Sequence, residues 1–137
     1  MAKRGKNQKI GKIIKIGGVK TWPHEDHTAE AFAKSGYTVK FIPAHNQISS
    51  ADAYINNTLF EFKSPDGDNI GCVDNNLKKA LRKQSKCVVI DTIRIKKVLD
   101  RSIKNYLLNV IKKRLDIKRL YMVTKKGEVI DIKNPLR

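Results

Sequence analysis

The sequence predicts an α/β fold, and three observations support this prediction. Helix-type and strand-type patterns alternate along the 137 residues, of which 40% are hydrophobic, enough for a packed core. A continuous apolar run at 87–90 is typical of a central strand that is buried on both faces. Apolar residues recur at three-and-four spacing over 95–115, which predicts a long amphipathic helix. Together these patterns indicate one α/β domain.

The N-terminal segment predicts a basic arm or linker in front of this domain. Residues 1–23 contain seven Lys or Arg, four Gly and no acidic residue. Apolar residues over 13–16 are typical of a short strand. Lysines interrupt the apolar residues of this segment, so it does not resemble a secretory signal. We therefore expect the domain proper to span 24–137.

A helix and three strands are predicted next. Thr28 precedes an apolar series and can cap a helix that ends at Ser35. Alternation over 37–42 predicts a strand, and the polar stretch 43–50 predicts a loop. The next two strands are expected to form a hairpin around Asn56-Asn57, because asparagine tolerates the positive φ of a two-residue turn.

The second half completes the predicted order. Asp74 can cap a helix whose apolar stripe continues to Gln84, before the central strand. After the long helix, segments 118–124 and 128–132 flank a glycine turn and predict a second hairpin. The predicted core is thus helix, three strands, helix, strand, extended by a long helix and a C-terminal hairpin.

The charge balance points to a polyanionic partner. The chain has 29 Lys and Arg against 13 Asp and Glu, a formal net charge of +16. We expect nucleic acid to bind, and we expect no stable membrane insertion, because no apolar run approaches the length of a membrane span. Cys72 and Cys87 lack the spacing of a zinc site, so we interpret them as ordinary thiols.

The first hairpin carries the most informative pair of residues. If Asn56-Asn57 form its loop, Asp52 lies directly opposite Glu61. Like charges at that position are destabilising, so a fold that keeps both carboxylates usually places a cation between them. Lys63 lies two residues beyond Glu61, and strand alternation therefore directs it to the same face.

An Asp on one strand and a Glu-Phe-Lys ending the next resemble the signature of the PD-(D/E)xK nuclease superfamily. The order of elements over 28–91 also resembles the core of that superfamily, although Ala51 stands where a proline is common. The resemblance implies that Asp52, Glu61 and an upstream Glu30 hold a divalent metal, with Lys63 as the catalytic cation. We expect Mg²⁺, with Mn²⁺ or Zn²⁺ as alternatives, because Mg²⁺ takes few carboxylate ligands and keeps several waters.

Other residues have competing interpretations. Glu30 is also explained by a helix-dipole contact and an ion pair with Lys34. Gln84 is a secondary candidate for the site. Lys79 and Lys83 can contact phosphate, although a solvated helix face also explains either lysine alone. The histidines suit a metal-independent ribonuclease, in which His and Lys move the proton of a 2′-hydroxyl. They are His24, His27 and His45.

At a finer level, residues 27–132 resemble the tRNA-nuclease domain at the C-terminus of CdiA-type contact-dependent growth-inhibition toxins. The resemblance is carried by 27–39, 50–53 and the Leu-Phe-Glu-Phe-Lys run at 59–63, with 69–70, 76–80, 83–84 and 88–91 adding to it. It implies a secreted or cell-surface-delivered effector that cuts tRNA in the cytoplasm of a target bacterium. It also implies a cognate immunity protein, which we expect to be acidic because the domain is so basic.

Three alternatives stay open on the residues alone. The same site serves a metal-dependent deoxyribonuclease toxin equally well. A metal-independent ribonuclease would use His and Lys. A noncatalytic nucleic-acid-binding module of a phage or mobile element would account for the charge without any cleavage.

Overall fold

A computed structural model describes residues 10–43 and 51–134, without the side chains of Ala51 and Asp52. A short 3-10 turn, Ile16–Gly18, follows the first strand. The helices are α1 (Pro23–Lys34), α2 (Ile70–Arg82) and α3 (Asp100–Lys113). The strands are β1 (Ile13–Lys15), β2 (Val39–Phe41), β3 (Ala51–Ile55), β4 (Thr58–Lys63), β5 (Cys87–Asp91), β6 (Arg119–Val123) and β7 (Val129–Asp131).

All of these strands form one sheet in chain order, from β1 at one edge to β7 at the other. The pairs β1–β2, β4–β5 and β5–β6 are parallel, and the other neighbouring pairs are antiparallel. Helices supply the long crossovers that parallel pairs require. The described chain is therefore a mixed α/β fold, and it contains the predicted order of helix, three strands, helix and strand.

Helices cover both faces of the sheet. Helix α1 packs on one face through Phe32, against side chains that include Phe60 and Phe62. Helices α2 and α3 pack on the other face against a second apolar cluster, which includes Val88 and Ile90 of β5. Strand β5 is thus covered on both sides, as its continuous apolar sequence predicts.

The first hairpin has the predicted turn and register. Asn56 and Asn57 adopt positive φ values of 46° and 75°. Asp52 pairs with Glu61 across the two strands, as expected. The other face of the hairpin is apolar, and its residues are all buried: Ala53, Ile55, Phe60 and Phe62.

The predicted starts of all three helices are wrong. Helix α1 begins at Pro23, whose fixed φ suits a first helical position, and the Glu25 carboxylate accepts a hydrogen bond from the Trp22 N–H at 2.9 Å. Thr28 is therefore an interior residue and not the cap. Helix α2 begins after Asn69, so Asp74 lies inside it.

The third helix begins later than its periodicity predicts. Its apolar series starts at Ile95, but Ile95 bridges Gly67 in a loop and Lys97 has a positive φ of 67°. Helix α3 itself starts at Asp100. The first part of the series consequently packs as loop against the core, because apolar spacing reports burial and does not require a helix.

Part of the predicted arm belongs to the sheet. Strand β1 lies within residues 1–23 and pairs in parallel with β2. The domain boundary at residue 24 stays a prediction, although the sheet includes residues before it. In the part of the chain that the structure describes, no helix has the length and apolar character to cross a membrane.

Candidate active site

Glu61 is a buried carboxylate in the middle of a basic cluster. Glu61 is only 4% exposed. Its side chain lies on the face of β4 opposite Phe60 and Phe62. The Lys63 ammonium lies 3.2 Å from Glu61 Oε2, and the Lys83 ammonium lies 3.3 Å from the same oxygen. Ser85 donates a hydrogen bond to Oε1 at 2.9 Å. Contacts of this kind provide the hydrogen-bond and charge partners that a buried carboxylate requires.

The end of α2 places Lys83 and Ser85 next to Glu61. Lys83 follows the last helical residue, and Gln84 has a positive φ of 65°. The Ser85 N–H donates to the Ala80 carbonyl at 3.1 Å, and the Gln84 N–H donates to the Leu81 carbonyl at 2.9 Å. These bonds close the helix in a Schellman turn, which directs the chain back toward the sheet.

A cavity of about 310 Å³ opens beside Glu61. It is lined by residues of β4, by the turn that follows α2 and by the first residue of β5: Leu59, Phe60, Glu61, Lys83, Gln84, Ser85, Lys86 and Cys87. The carboxylate therefore adjoins a space that a ligand can enter.

Asp52 lies opposite Glu61 in backbone register, and its side chain lies outside the described structure. The described side chains contain no cluster of three His, Cys, Asp or Glu able to hold a metal. The predicted metal set of Asp52, Glu61 and Glu30 therefore stays a prediction.

The structure brings Glu61 and Lys63 together, places Gln84 beside the same cavity, and leaves Glu30 and Lys79 elsewhere. Glu30 is exposed on α1, which packs on the sheet face opposite Glu61. Lys79 is exposed on α2. Gln84 was expected to continue the stripe of α2, but it lies beyond the helix end, exposed, and lines the cavity beside Glu61.

A second polar centre lies on the other face of the sheet. Asp91, fully buried at the end of β5, accepts hydrogen bonds at Oδ2 from His27 Nδ1 at 2.8 Å and from Thr28 Oγ1 at 2.5 Å. The Ile93 N–H donates to its Oδ1 at 2.9 Å. Burial raises the pKa of the Asp91 carboxyl, and the bonds from His27, Thr28 and Ile93 act in the opposite direction.

Sequence reasoning missed this pairing, although it identified His27 as a candidate. An aspartate directly after a fully apolar strand is the signal that was available, because such a position is buried and needs polar partners. His27 Nε2 faces the Lys125 carbonyl at 3.3 Å, so protein atoms cover the nitrogen that a catalytic base would offer to substrate. Burial lowers the pKa of the neighbouring His24, and His45 lies outside the described residues.

The comparison with protein families decides the identity of the chain. The family described as contact-dependent growth inhibition CdiA C-terminal domain matches residues 49–129, more than half of the sequence. The chain belongs to this family. The match includes Asp52, Glu61, Lys63 and Lys83, so the CdiA C-terminal domain contains the whole cluster around Glu61.

A solved structure shares the fold of this CdiA C-terminal domain. It is a CdiA-CT/CdiI toxin and immunity complex from Burkholderia pseudomallei, at a TM-score of 0.65 and 16% sequence identity. The alignment covers 88% of this chain and 98% of the other. Among curated proteins, none matches the chain.

Proposed function

We propose that this CdiA C-terminal domain is a toxin nuclease that hydrolyses RNA, with tRNA as its preferred substrate. The proposal rests on one arrangement above all. A buried Glu61 contacts Lys63 on the same strand face, and Asp52 lies opposite Glu61 in backbone register. This is the geometry that the PD-(D/E)xK resemblance implies, on a chain with a net charge of +16.

The residues present fit a divalent cation with oxygen ligands. Glu61 is a buried carboxylate that borders the cavity, and a carboxylate has about four lone-pair sites, so it can accept hydrogen bonds and bind a cation at the same time. Mg²⁺ needs only one or two carboxylates, and the facing strands offer Glu61 and Asp52. We propose these two as ligands, and Glu30 is not part of this set because α1 packs on the opposite face of the sheet.

Each residue of the site has a distinct role in this proposal. A divalent ion held by Glu61 and Asp52 would lower the pKa of a bound water, which would supply the nucleophile for phosphodiester hydrolysis. Lys63 is 7% exposed, so its ammonium acts in a largely dry environment and stabilises negative charge that develops on the phosphate oxygens. Ser85 fixes the orientation of the Glu61 carboxylate through its hydrogen bond to Oε1.

The proposal includes an acidic immunity protein and delivery into a rival bacterium. The structural relative is a toxin in complex with its immunity protein. A partner with negative surface charge would associate rapidly with a domain of charge +16 and would compete with RNA for the same lysines.

The decisive experiment incubates the purified domain with total bacterial RNA and, separately, with plasmid DNA. We expect tRNA to be cleaved in Mg²⁺ and to stay intact with excess chelator. Asp52→Ala and Lys63→Ala should abolish cleavage and growth arrest while circular dichroism shows an intact fold. Lys78→Ala, which removes an exposed lysine from an ion pair with Asp74, serves as the matched control.

Each rival function has its own outcome in this experiment. Cleavage of the plasmid alone would identify a deoxyribonuclease, and salt-dependent binding without cleavage in any divalent ion would identify a binding module. The His27–Asp91 hydrogen bond is the observation that favours a histidine-based ribonuclease. Cleavage that survives chelator, leaves 2′,3′-cyclic ends and disappears in His27→Gln would establish that mechanism instead.

A further inference from the structure

The turn between α2 and β5, residues 83–86, borders the cavity beside Glu61. Lys83, Gln84, Ser85 and Lys86 all line it. Two of the four are lysines, and Ser85 already binds the Glu61 carboxylate. The turn therefore forms one wall of a space whose other wall carries the carboxylate of the proposed site.

The two lysines that contact Glu61 differ in their access to solvent. The side chain of Lys63 is 7% exposed, whereas that of Lys83 is 41% exposed. Both ammonium groups contact the same oxygen, Oε2. An anion that enters the cavity reaches Lys83 first, because the lysine on β4 is enclosed by protein. Lys83 can thus contact an anion and Glu61 from one position.

The conformation of Gln84 is unfavourable for its residue type. Its φ of 65° lies in the left-handed region, and glycine is the usual residue at this position of a Schellman turn. A side chain that is retained at a conformational cost, beside a candidate site, is an indication of function. The glutamine amide has two N–H donors, which suit the oxygens of a phosphate.

We propose that this turn is the substrate-phosphate subsite, in which Lys83 and the Gln84 amide bind the phosphate that adjoins the scissile bond. The inference rests on the proposed nuclease function and assigns a part of it to residues outside the Glu-Phe-Lys run. Ser85 is a positioning residue in the same turn, since it acts through Glu61. The turn thus links substrate binding to the orientation of the carboxylate.

The first test measures the affinity of bulk bacterial tRNA for the domain by fluorescence anisotropy, in chelator and over a series of salt concentrations. Lys83→Gln should weaken binding about tenfold at low salt and reduce the slope of log affinity against log salt by about 1. Lys78→Gln is the matched control, because it also removes a lysine from an ion pair with a carboxylate and lies on the adjacent helix α2. Equal effects of the two variants would overturn the assignment of Lys83.

The second test separates the side chain of Gln84 from its backbone conformation. Gln84→Gly relieves the unfavourable φ, so the variant should melt at the same temperature as wild type or higher, while tRNA cleavage falls about tenfold. Lys97→Gly, at φ 67° and outside the lining of the Glu61 cavity, should gain stability with no loss of cleavage. Unchanged cleavage in Gln84→Gly would contradict a role for its amide.

Different results would contradict the phosphate subsite and the nuclease function. If wild-type protein cleaves and binds tRNA but Lys83→Gln and Gln84→Gly behave like their controls, the phosphate subsite is wrong and the nuclease function stands. If wild-type protein neither cleaves nor binds nucleic acid, the nuclease function itself is wrong, and the subsite is wrong with it.

Discussion

His27 Nδ1 lies 2.8 Å from Asp91 Oδ2 and joins the first helix to the central strand β5. The other ring nitrogen, Nε2, faces the Lys125 carbonyl at 3.3 Å. Each ring nitrogen therefore has an oxygen atom within hydrogen-bond distance. This contact connects α1, β5 and the turn after β6 in a single polar centre, on the sheet face opposite Glu61.

Asp91→Asn should make the stability of the domain less dependent on pH. Burial raises the pKa of the Asp91 carboxyl above 3.8, so the folded state holds this proton more tightly than the unfolded chain. The stabilisation from the protonated Asp91 carboxyl is complete below the pKa of this group in the unfolded chain. It is lost as the pH rises through the raised pKa of the folded state. Urea unfolding at about pH 4 and about pH 7 should show the variant gaining stability relative to wild type at the higher pH. A constant difference across that range would contradict the assignment.

Glu61→Gln should destabilise the fold as well as remove activity. The substitution leaves the Lys63 ammonium buried without its charged partner on β4, which costs about 3 kcal/mol. The double variant Glu61→Gln/Lys63→Met should recover most of that stability, because it removes both charges, yet remain inactive in tRNA cleavage. Denaturant unfolding of the single and double variants measures the coupling. Recovery of cleavage in the double variant would show that the pair is structural only.

Phe32→Leu should lower the free energy of unfolding by about 1–2 kcal/mol without changing tRNA cleavage. Phe32 is fully buried, and its ring meets those of Tyr37 and Tyr121 edge-on at centroid distances of 5.3 Å each. It lies on the sheet face opposite Glu61, so its loss weakens packing and spares the site. Leu115→Ala, at a residue that is 84% exposed, is the control and should change stability little.

Tyr106→Phe should weaken the contact between α3 and α2. The Tyr106 hydroxyl donates to Asp74 Oδ1, and this bond lowers the pKa of the Asp74 carboxyl below 3.8. Because folding lowers the pKa of the Asp74 carboxyl, its charged form stabilises the folded state above pH 3.8. This stabilisation is lost as the pH falls through the lowered pKa. We expect a loss of about 1 kcal/mol near neutral pH that shrinks in acid, measured by urea unfolding. A loss that is equal at about pH 7 and about pH 3 would exclude this bond as the cause.

The elements of the fold could be predicted from sequence more readily than their ends. Strand alternation around Asn56-Asn57 gave the correct register, because one residue of slip would expose Phe60 and Phe62. The start of α1 at Pro23 was missed because Thr28 resembles a cap, although its hydroxyl binds the distant Asp91. Such a contact, between residues 63 positions apart, leaves no local pattern in the sequence.

The candidate site could be predicted only where its residues share a hairpin. Alternation places Glu61 and Lys63 on one face, and turn chemistry places Asp52 opposite. Lys83 and Ser85 reach Glu61 from 22 and 24 residues away, through the closure of α2. That placement depends on the left-handed backbone conformation of Gln84. No propensity rule assigns such a conformation to a glutamine.

The order of the sheet has a consequence for how the chain assembles. Every strand pairs with the strand that precedes it in sequence, from β1 through β7. A polypeptide that emerges from a ribosome or a pore with its N-terminus first can therefore add each new strand to a finished edge. No earlier pairing has to be undone, so growth of the sheet can keep pace with arrival of the chain.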